Sequence, residues 1–138
     1  MVAVRRRVLS VRARRQLIWR TDTSGRTVYL DGQEWPCWSD TQVLIPAGEH
    51  RVLTRPQAEG ARQGELRIES LNGIILGAEQ SGQRLRLTYE SPGRCYVTLN
   101  RTPTTVLCDG APGVARILSN GGGVCLVLPQ GKHTVELE

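Results

Sequence analysis

Two stretches of the chain decide its fold: Ile45-Pro46-Ala47-Gly48-Glu49-His50-Arg51-Val52 and Leu128-Pro129-Gln130-Gly131-Lys132-His133-Thr134-Val135. Each reads aliphatic, Pro, any residue, Gly, a charged residue, His, any residue and Val. Proline fixes φ and glycine permits positive φ, so each copy predicts a tight turn that leads into a β-strand. A turn-and-strand unit that occurs twice indicates a repeated β module.

The similarity extends upstream of each copy. Residues 19–31 resemble residues 89–100, because in both an aromatic strand end precedes a Ser/Gly/Arg turn and a Val-x-Leu-Asp or Val-x-Leu-Asn strand. The interval that follows is longer in the second copy, which predicts an inserted hairpin there. We therefore expect a first β half with a basic arm over residues 1–55, a linker over 56–64, and a second β half over 65–138.

The patterned segments are typical of β-strands. They are short, rich in Val, Leu, Ile and Thr, and bounded by Gly, Pro, Asn or Asp. Cys95, Val97 and Leu99 alternate with polar residues and are expected to share one face, and Asn72-Gly73 predicts a hairpin turn. Strands are predicted near residues 2–9, 12–20, 26–31, 41–45, 50–54, 65–70, 73–78, 83–89, 94–100, 104–108, 114–118, 123–128 and 133–137. Evenly spaced short strands predict an all-β fold, a β-sandwich of immunoglobulin-like or jelly-roll-like type built from two related halves.

Charge is concentrated at the N-terminus. The chain carries a formal net charge of +5, and residues 1–20 hold seven arginines and no acidic residue. Such an arm suits nucleic acid, an anionic polysaccharide or a membrane surface, whereas the valines and leucine between the arginines favour a half-exposed strand. We favour the strand and expect nucleic acid not to be a partner. No apolar run of about 18 residues occurs, so no membrane span is expected.

The four cysteines, Cys37, Cys95, Cys108 and Cys125, allow two interpretations. An even number in a small β protein is compatible with disulfides, of which one within the second half is the simplest. Free cysteine also serves as a small buried apolar residue on strands. No Cys-x-x-Cys pair is present and the histidines are not at ligand spacing, so no metal or other cofactor is expected.

His50 and His133 occupy the same position in the two copies. A catalytic or metal-binding pair is one interpretation. Catalysis seldom needs one copy per module, so we favour imidazoles that stabilise their own turns. No Gly-x-Ser-x-Gly, His-Glu-x-x-His or phosphate-binding glycine loop occurs. The chain is therefore not expected to be an enzyme.

The segment from Glu34 to Asp40 holds two tryptophans among polar residues. Aromatic rings can stack on sugar rings while carboxylates bind the hydroxyl groups. The alternative is that these tryptophans close one end of the apolar core. The predicted binding residues are Trp35 and Trp38, supported by Trp19, Tyr29, Glu34 and Asp40.

The repeated phrases, the first preceded by Val28-Tyr29-Leu30-Asp31-Gly32, resemble PEGA-type repeats, which are small β modules of bacterial envelope proteins. They are also similar to β-sandwich accessory modules of bacterial polysaccharide-degrading enzymes. The resemblance implies a secreted or cell-envelope location and a non-catalytic role within a larger protein. A carbohydrate-binding module with a polysaccharide or glycan partner is the function expected. The alternative is a structural spacer or protein-interaction module that contacts other domains of its parent protein.

Overall fold

A computed structural model describes residues 7–57, 65–120 and 123–138. Every regular element in these ranges is a β-strand, which confirms the predicted all-β class, and they include no helix able to cross a membrane. The strands are β1 (Arg7–Ala13), β2 (Leu17–Arg20), β3 (Arg26–Leu30), β4 (Gln33–Glu34), β5 (Trp38–Ser39), β6 (Gln42–Ile45), β7 (Gly48–Pro56), β8 (Ile68–Leu71), β9 (Ile74–Ser81), β10 (Arg84–Ser91), β11 (Cys95–Leu99), β12 (Val106–Cys108), β13 (Arg116–Asn120), β14 (Gly123–Leu128) and β15 (Gly131–Leu137).

The predicted sandwich, immunoglobulin-like or jelly-roll-like, is wrong. The strands form four separate sheets, arranged as a four-bladed β-propeller. Each half distributes its short strands between two sheets, so four small sheets form in place of two large ones. The sheets have the strand orders β1-β7-β3-β4 (sheet I), β2-β6-β5 (sheet II), β12-β15-β10-β9 (sheet III) and β13-β14-β11-β8 (sheet IV).

Sharp corners carry the chain from one sheet to another. Pro46 and Ala47 take it from β6 in sheet II to β7 in sheet I, and Pro129 and Gln130 make the equivalent crossing from β14 to β15. The hairpin predicted at Asn72-Gly73 is also such a corner, because β8 joins sheet IV and β9 joins sheet III. Asn72 holds this corner by accepting a hydrogen bond from the Tyr96 amide at 2.7 Å.

The two halves share one pairing scheme. β1-β7-β3 in the first half corresponds to β10-β15-β12 in the second, and β2-β6-β5 corresponds to β11-β14-β13. The strand registers make Leu30, opposite Val52, equivalent to Cys108, opposite Val135. The second Asp-Gly turn is therefore Asp109-Gly110, whereas the sequence comparison had aligned Asp31 with Asn100. The strands without a first-half counterpart among the described residues are β8 and β9, ahead of the repeat.

One apolar core runs through both halves. Inward positions on alternate residues supply it, and the predicted shared face of Cys95, Val97 and Leu99 is confirmed, since each is at most 2% exposed. All four cysteines are free thiols in the structure; Cys37, Cys95 and Cys108 are buried, as the core interpretation predicts, and Cys125 is half-buried.

The corner between β8 and β9 connects the halves. The Gln16 side chain accepts a hydrogen bond from the Ile75 amide at 2.7 Å and donates one to the Gly73 carbonyl at 3.3 Å. The Ile68 amide donates to the Pro36 carbonyl at 2.9 Å. Of the predicted linker over 56–64, Pro56 ends β7 and residues 58–64 lie outside the described ranges, as do Arg5 and Arg6 of the basic arm.

Candidate functional site

The repeated histidines lie at equivalent corners and bind their own scaffold. His50 Nδ1 donates to Asp31 Oδ2 at 2.7 Å, and His50 Nε2 donates to the Ala47 carbonyl at 3.0 Å. The other carboxylate oxygen of Asp31 accepts the Arg51 amide at 2.8 Å. The Asp31 side chain, which follows the end of β3, thus fixes the start of β7.

The second repeat reproduces these contacts. His133 Nδ1 donates to Asp109 Oδ2 at 2.5 Å, His133 Nε2 donates to the Gln130 carbonyl at 2.7 Å, and the Thr134 amide donates to Asp109 Oδ1 at 2.9 Å. A carboxylate and a carbonyl can only accept hydrogen bonds, so this geometry suits the doubly protonated, cationic form of each imidazole. Neither ring nitrogen is left free to accept a proton.

Electrostatics agree with this geometry. Burial alone would lower the pKa of His50, but hydrogen bonds to Asp31 and the Ala47 carbonyl outweigh it and raise the pKa. The pKa of His133 is raised by its bonds to Asp109 and then to the Gln130 carbonyl. Burial would raise the pKa of Asp31, yet the bonds from His50 and the Arg51 amide leave it lowered. The Thr134 amide and then His133 lower the pKa of Asp109.

Backbone conformation and side-chain packing both require the glycine of each phrase. Gly48 has a φ of 116° and Gly131 a φ of 97°, in the region that glycine favours. A Cβ at Gly48 would lie 3.3 Å from His50 Nε2, so the imidazole packs directly over the glycine. The pattern Pro-x-Gly-x-His therefore follows from a corner in which the imidazole packs against the glycine two residues earlier in the chain. Sequence reasoning did not identify the aspartates as partners of the histidines, although each follows a short apolar strand as Asp-Gly.

One group of metal-type ligands occurs at the second repeat. Ligand atoms of Cys108, Asp109 and His133 lie within 4.8 Å of one another. Burial, with the nearby Asp109, raises the pKa of the Cys108 thiol, which disfavours the thiolate that a metal would need. Leu30 takes the place of Cys108 in the first repeat, and the same Asp–His pair forms beside it. The scaffold hydrogen bonds account for the pair without a third ligand.

A cavity of about 390 Å³ brings together four of the six residues predicted to bind a sugar. Tyr29 and Glu34 are half-buried, whereas Trp35 and Trp38 are each only 4% exposed. Trp19 lies elsewhere, on β2, half-buried and packed against the core, and Asp40 is exposed outside this cavity. The cavity is lined by Thr27, Val28, Tyr29, Glu34, Trp35, Trp38, Arg55, Pro56, Gln57, Glu65, Arg67 and Gln80.

The aromatic rings of this cavity already have partners. Trp35 Nε1 donates to the Leu44 carbonyl at 2.8 Å. The Arg67 guanidinium lies 3.9 Å from the Trp38 ring centroid, and that of Arg55 lies 4.5 Å from the centroid of Tyr29. Cation–π contacts of this kind cover a ring face that a sugar would otherwise use. A ligand here would meet guanidinium and carboxylate groups before it met an aromatic face.

Comparisons with known proteins return no match: no family model fits the chain, and neither a curated protein nor a solved structure is detectably similar to it.

Proposed function

We propose that this chain is a non-catalytic interaction module that spaces or joins other protein domains. The observation that carries the proposal is the duplicated Asp–His pair, whose polar atoms are all used to hold a corner in both repeats. Acid–base catalysis by either histidine would require a ring nitrogen that exchanges its proton with a substrate. The proposed location, in the cell envelope or outside the cell, rests only on the similarity of the two repeated phrases to PEGA-type repeats, since no family model fits the chain.

The exposed apolar side chains support an interaction role. Val8 on β1, Ile18 on β2, Tyr96 on β11 and Leu118 on β13 are between 43% and 52% exposed. On β1 and β11 the residues that alternate with Val8 and Tyr96 pack on the core. Large continuous apolar patches mark protein contact surfaces, and we propose that these side chains contribute to one.

Site-specific photo-crosslinking tests this role. A photoreactive residue at Val8, Ile18 or Leu118, in cells that make the protein, should yield crosslinks to a protein partner, whereas the same residue at the exposed polar position Ser24 should not. Crosslinks that a glycosidase removes and a protease does not would contradict the proposal. So would the absence of crosslinks at all three apolar positions in a folded, expressed variant.

A second candidate function is glycan binding, favoured by the convergence of Tyr29, Glu34, Trp35 and Trp38 on one cavity. Glu34 and Arg55 on its rim can be changed without emptying the core. If a glycan binds here, Glu34→Gln and Arg55→Ala should each weaken binding about tenfold, as expected for a lost hydrogen bond to a charged group. Asp40→Asn, outside the cavity, should leave binding unchanged. The absence of any glycan-array signal would exclude this candidate.

A further inference from the structure

Comparison of the two repeats shows that β1, among the described residues, lacks one of the two strand partners that its second-half equivalent has. In sheet III, β10 pairs with β15 on one side and with β9 on the other. β1 is the first-half equivalent of β10, and among the described residues it pairs with β7 alone. The outer edge of β1 therefore presents a row of backbone groups that have no strand partner within residues 7–57, 65–120 and 123–138. An edge of this kind is a template for an added strand.

Exposure of the neighbouring strand agrees with a missing element. Leu17 on β2, opposite Ile45, is equivalent to Cys95 on β11, opposite Leu128. Cys95 is fully buried, and a Cβ at Gly73 in the β8–β9 corner would lie 3.0 Å from its Sγ. Leu17 is 41% exposed because no such corner covers it among the described residues. The same positions are thus covered in one half and open in the other.

The positive charge around β1 indicates what kind of strand fits its open edge. The strand region over residues 7–20 carries five arginines and no acidic residue, whereas the β8–β9 segment over 68–81 has two glutamates and no basic residue. In sheet III, Glu79 on β9 lies 3.9 Å from Arg86 on β10. The strand registers place Val8 on β1 at the position equivalent to Arg86 on β10, and Arg12 at the position equivalent to Glu90. A strand added to β1 should therefore place an aliphatic residue opposite Val8 and a carboxylate opposite Arg12.

We propose that the outer edge of β1 binds an acidic, extended segment of a partner protein by antiparallel strand addition. The segment occupies the position that β9 holds on β10, with aliphatic residues facing Leu9 and Val11. Main-chain hydrogen bonds supply affinity and the Arg12 contact supplies selectivity. This inference rests on the proposed role as an interaction module and names its partner.

The probe is a peptide with the sequence of residues 73–81 that carries Ile74→Glu and Glu79→Ile. Titrated into the isotopically labelled protein, it should shift the amide resonances of Arg7–Ala13 and leave those of the other outer strand, β13, unchanged. A matched peptide with Ile74→Lys should bind about two- to fivefold more weakly. The exposed variant Arg12→Glu should reverse that preference.

Backbone methylation separates strand addition from simple charge attraction. Two further peptides carry N-methyl groups on alternate amides, in opposite phases. Strand addition predicts that one phase abolishes binding and the other does not, because only alternate amides face the partner strand. Equal binding by both phases, shifts centred on β13, or no shifts at all would overturn the proposal. Crosslinks at Leu118 with no peptide binding at β1 would reject this inference and leave the proposed function standing.

Discussion

Asp31 and Asp109 adopt the same uncommon backbone conformation, each with a φ of 51°. Among residues other than glycine, aspartate and asparagine enter this region most readily. Each carboxylate then reaches a backbone amide and an imidazole of the following repeat phrase. The aspartate of the turn and the histidine of the corner therefore hold each other in place, although they are 19 residues apart in the first repeat and 24 in the second.

Removal of one charge isolates the contribution of the pair. Asp31→Asn keeps a side chain suited to this backbone conformation and loses the ion pair with His50. We expect unfolding free energy to fall by about 1 kcal/mol, since the pair is half-exposed. Chemical denaturation measures the change. Asp40→Asn, an exposed aspartate outside the corner, is the control, and equal effects of the two substitutions would contradict the assignment.

Both histidines make stability depend on pH. Their pKa values are raised in the folded state, so this stabilisation is complete below the ordinary histidine value of about 6.5 and is lost as pH rises through the folded value. The aspartate pKa values are lowered, so their part is complete above about 4 and is lost as pH falls further. Melting temperature should therefore be highest between about pH 4 and 6.5 relative to a His50→Gln/His133→Gln variant. A constant difference from pH 3 to 9 would contradict this.

At the scale of the element, corners matter more than individual strands. β1 and β2, β6 and β7, β8 and β9, and β14 and β15 are consecutive strands that lie in different sheets. Each corner needs polar groups that satisfy its free backbone atoms. Gln16, Asn72 and the two histidines fill that role with side-chain hydrogen bonds.

Gln16 is the clearest test of a corner contact. Gln16→Ala should lower the unfolding free energy by about 1–2 kcal/mol, because the Gly73 carbonyl and the Ile75 amide both lose a partner. It should also speed hydrogen exchange at the Ile75 amide. Gln83→Ala removes only an exposed 3.5 Å contact with Arg101 and serves as the matched control. Unchanged exchange at Ile75 in the Gln16 variant would show that the corner is held by other contacts.

Sequence patterning predicts strands well here and pairing poorly. Alternation locates β10 and β11 because one face of each is buried. The two-residue strands β4 and β5 are too short to show any period. Asn72-Gly73 is a strong turn signal, but the same dipeptide suits a corner between two sheets, and only tertiary packing decides between the two. The alignment of Asp31 with Asn100 was wrong for a related reason. Many β-strands share Val-x-Leu, so this motif does not identify equivalent strands.

The whole molecule is a tandem repeat with a covered middle and open outer strands. Leu17 and Ile117 are each 41% exposed, whereas their equivalents Cys95 and Trp38 are buried by the β8–β9 corner and by Arg67. Of the predicted sugar-binding residues, which were chosen by their proximity in sequence, Tyr29, Glu34, Trp35 and Trp38 line one cavity, whereas the other two lie outside it. Sequence proximity did not reveal that guanidinium groups cover two of their rings, because Arg55, on β7, and Arg67, just before β8, are far from these rings in sequence. Sugar binding by these residues stays a prediction.

This arrangement predicts a gradient of local stability. Amides of β10 and β11, paired on both sides, should exchange at rates close to those of global unfolding. Amides of the outer strands β1 and β13 should exchange at least tenfold faster. Hydrogen exchange followed by mass spectrometry or NMR measures both. Uniform protection across the four strands would mean that the outer strands are not open.

Nitrogen-15 NMR of the two imidazoles provides the most direct test of the claim that the repeated phrase is scaffold in both halves. Both histidines should show two protonated, hydrogen-bonded ring nitrogens at about pH 6 and titrate above the ordinary value of about 6.5. Asp31→Asn should lower the pKa of His50 alone, and Asp109→Asn that of His133 alone. A ring nitrogen that is unprotonated and open to solvent at about pH 6 in either repeat would contradict the claim.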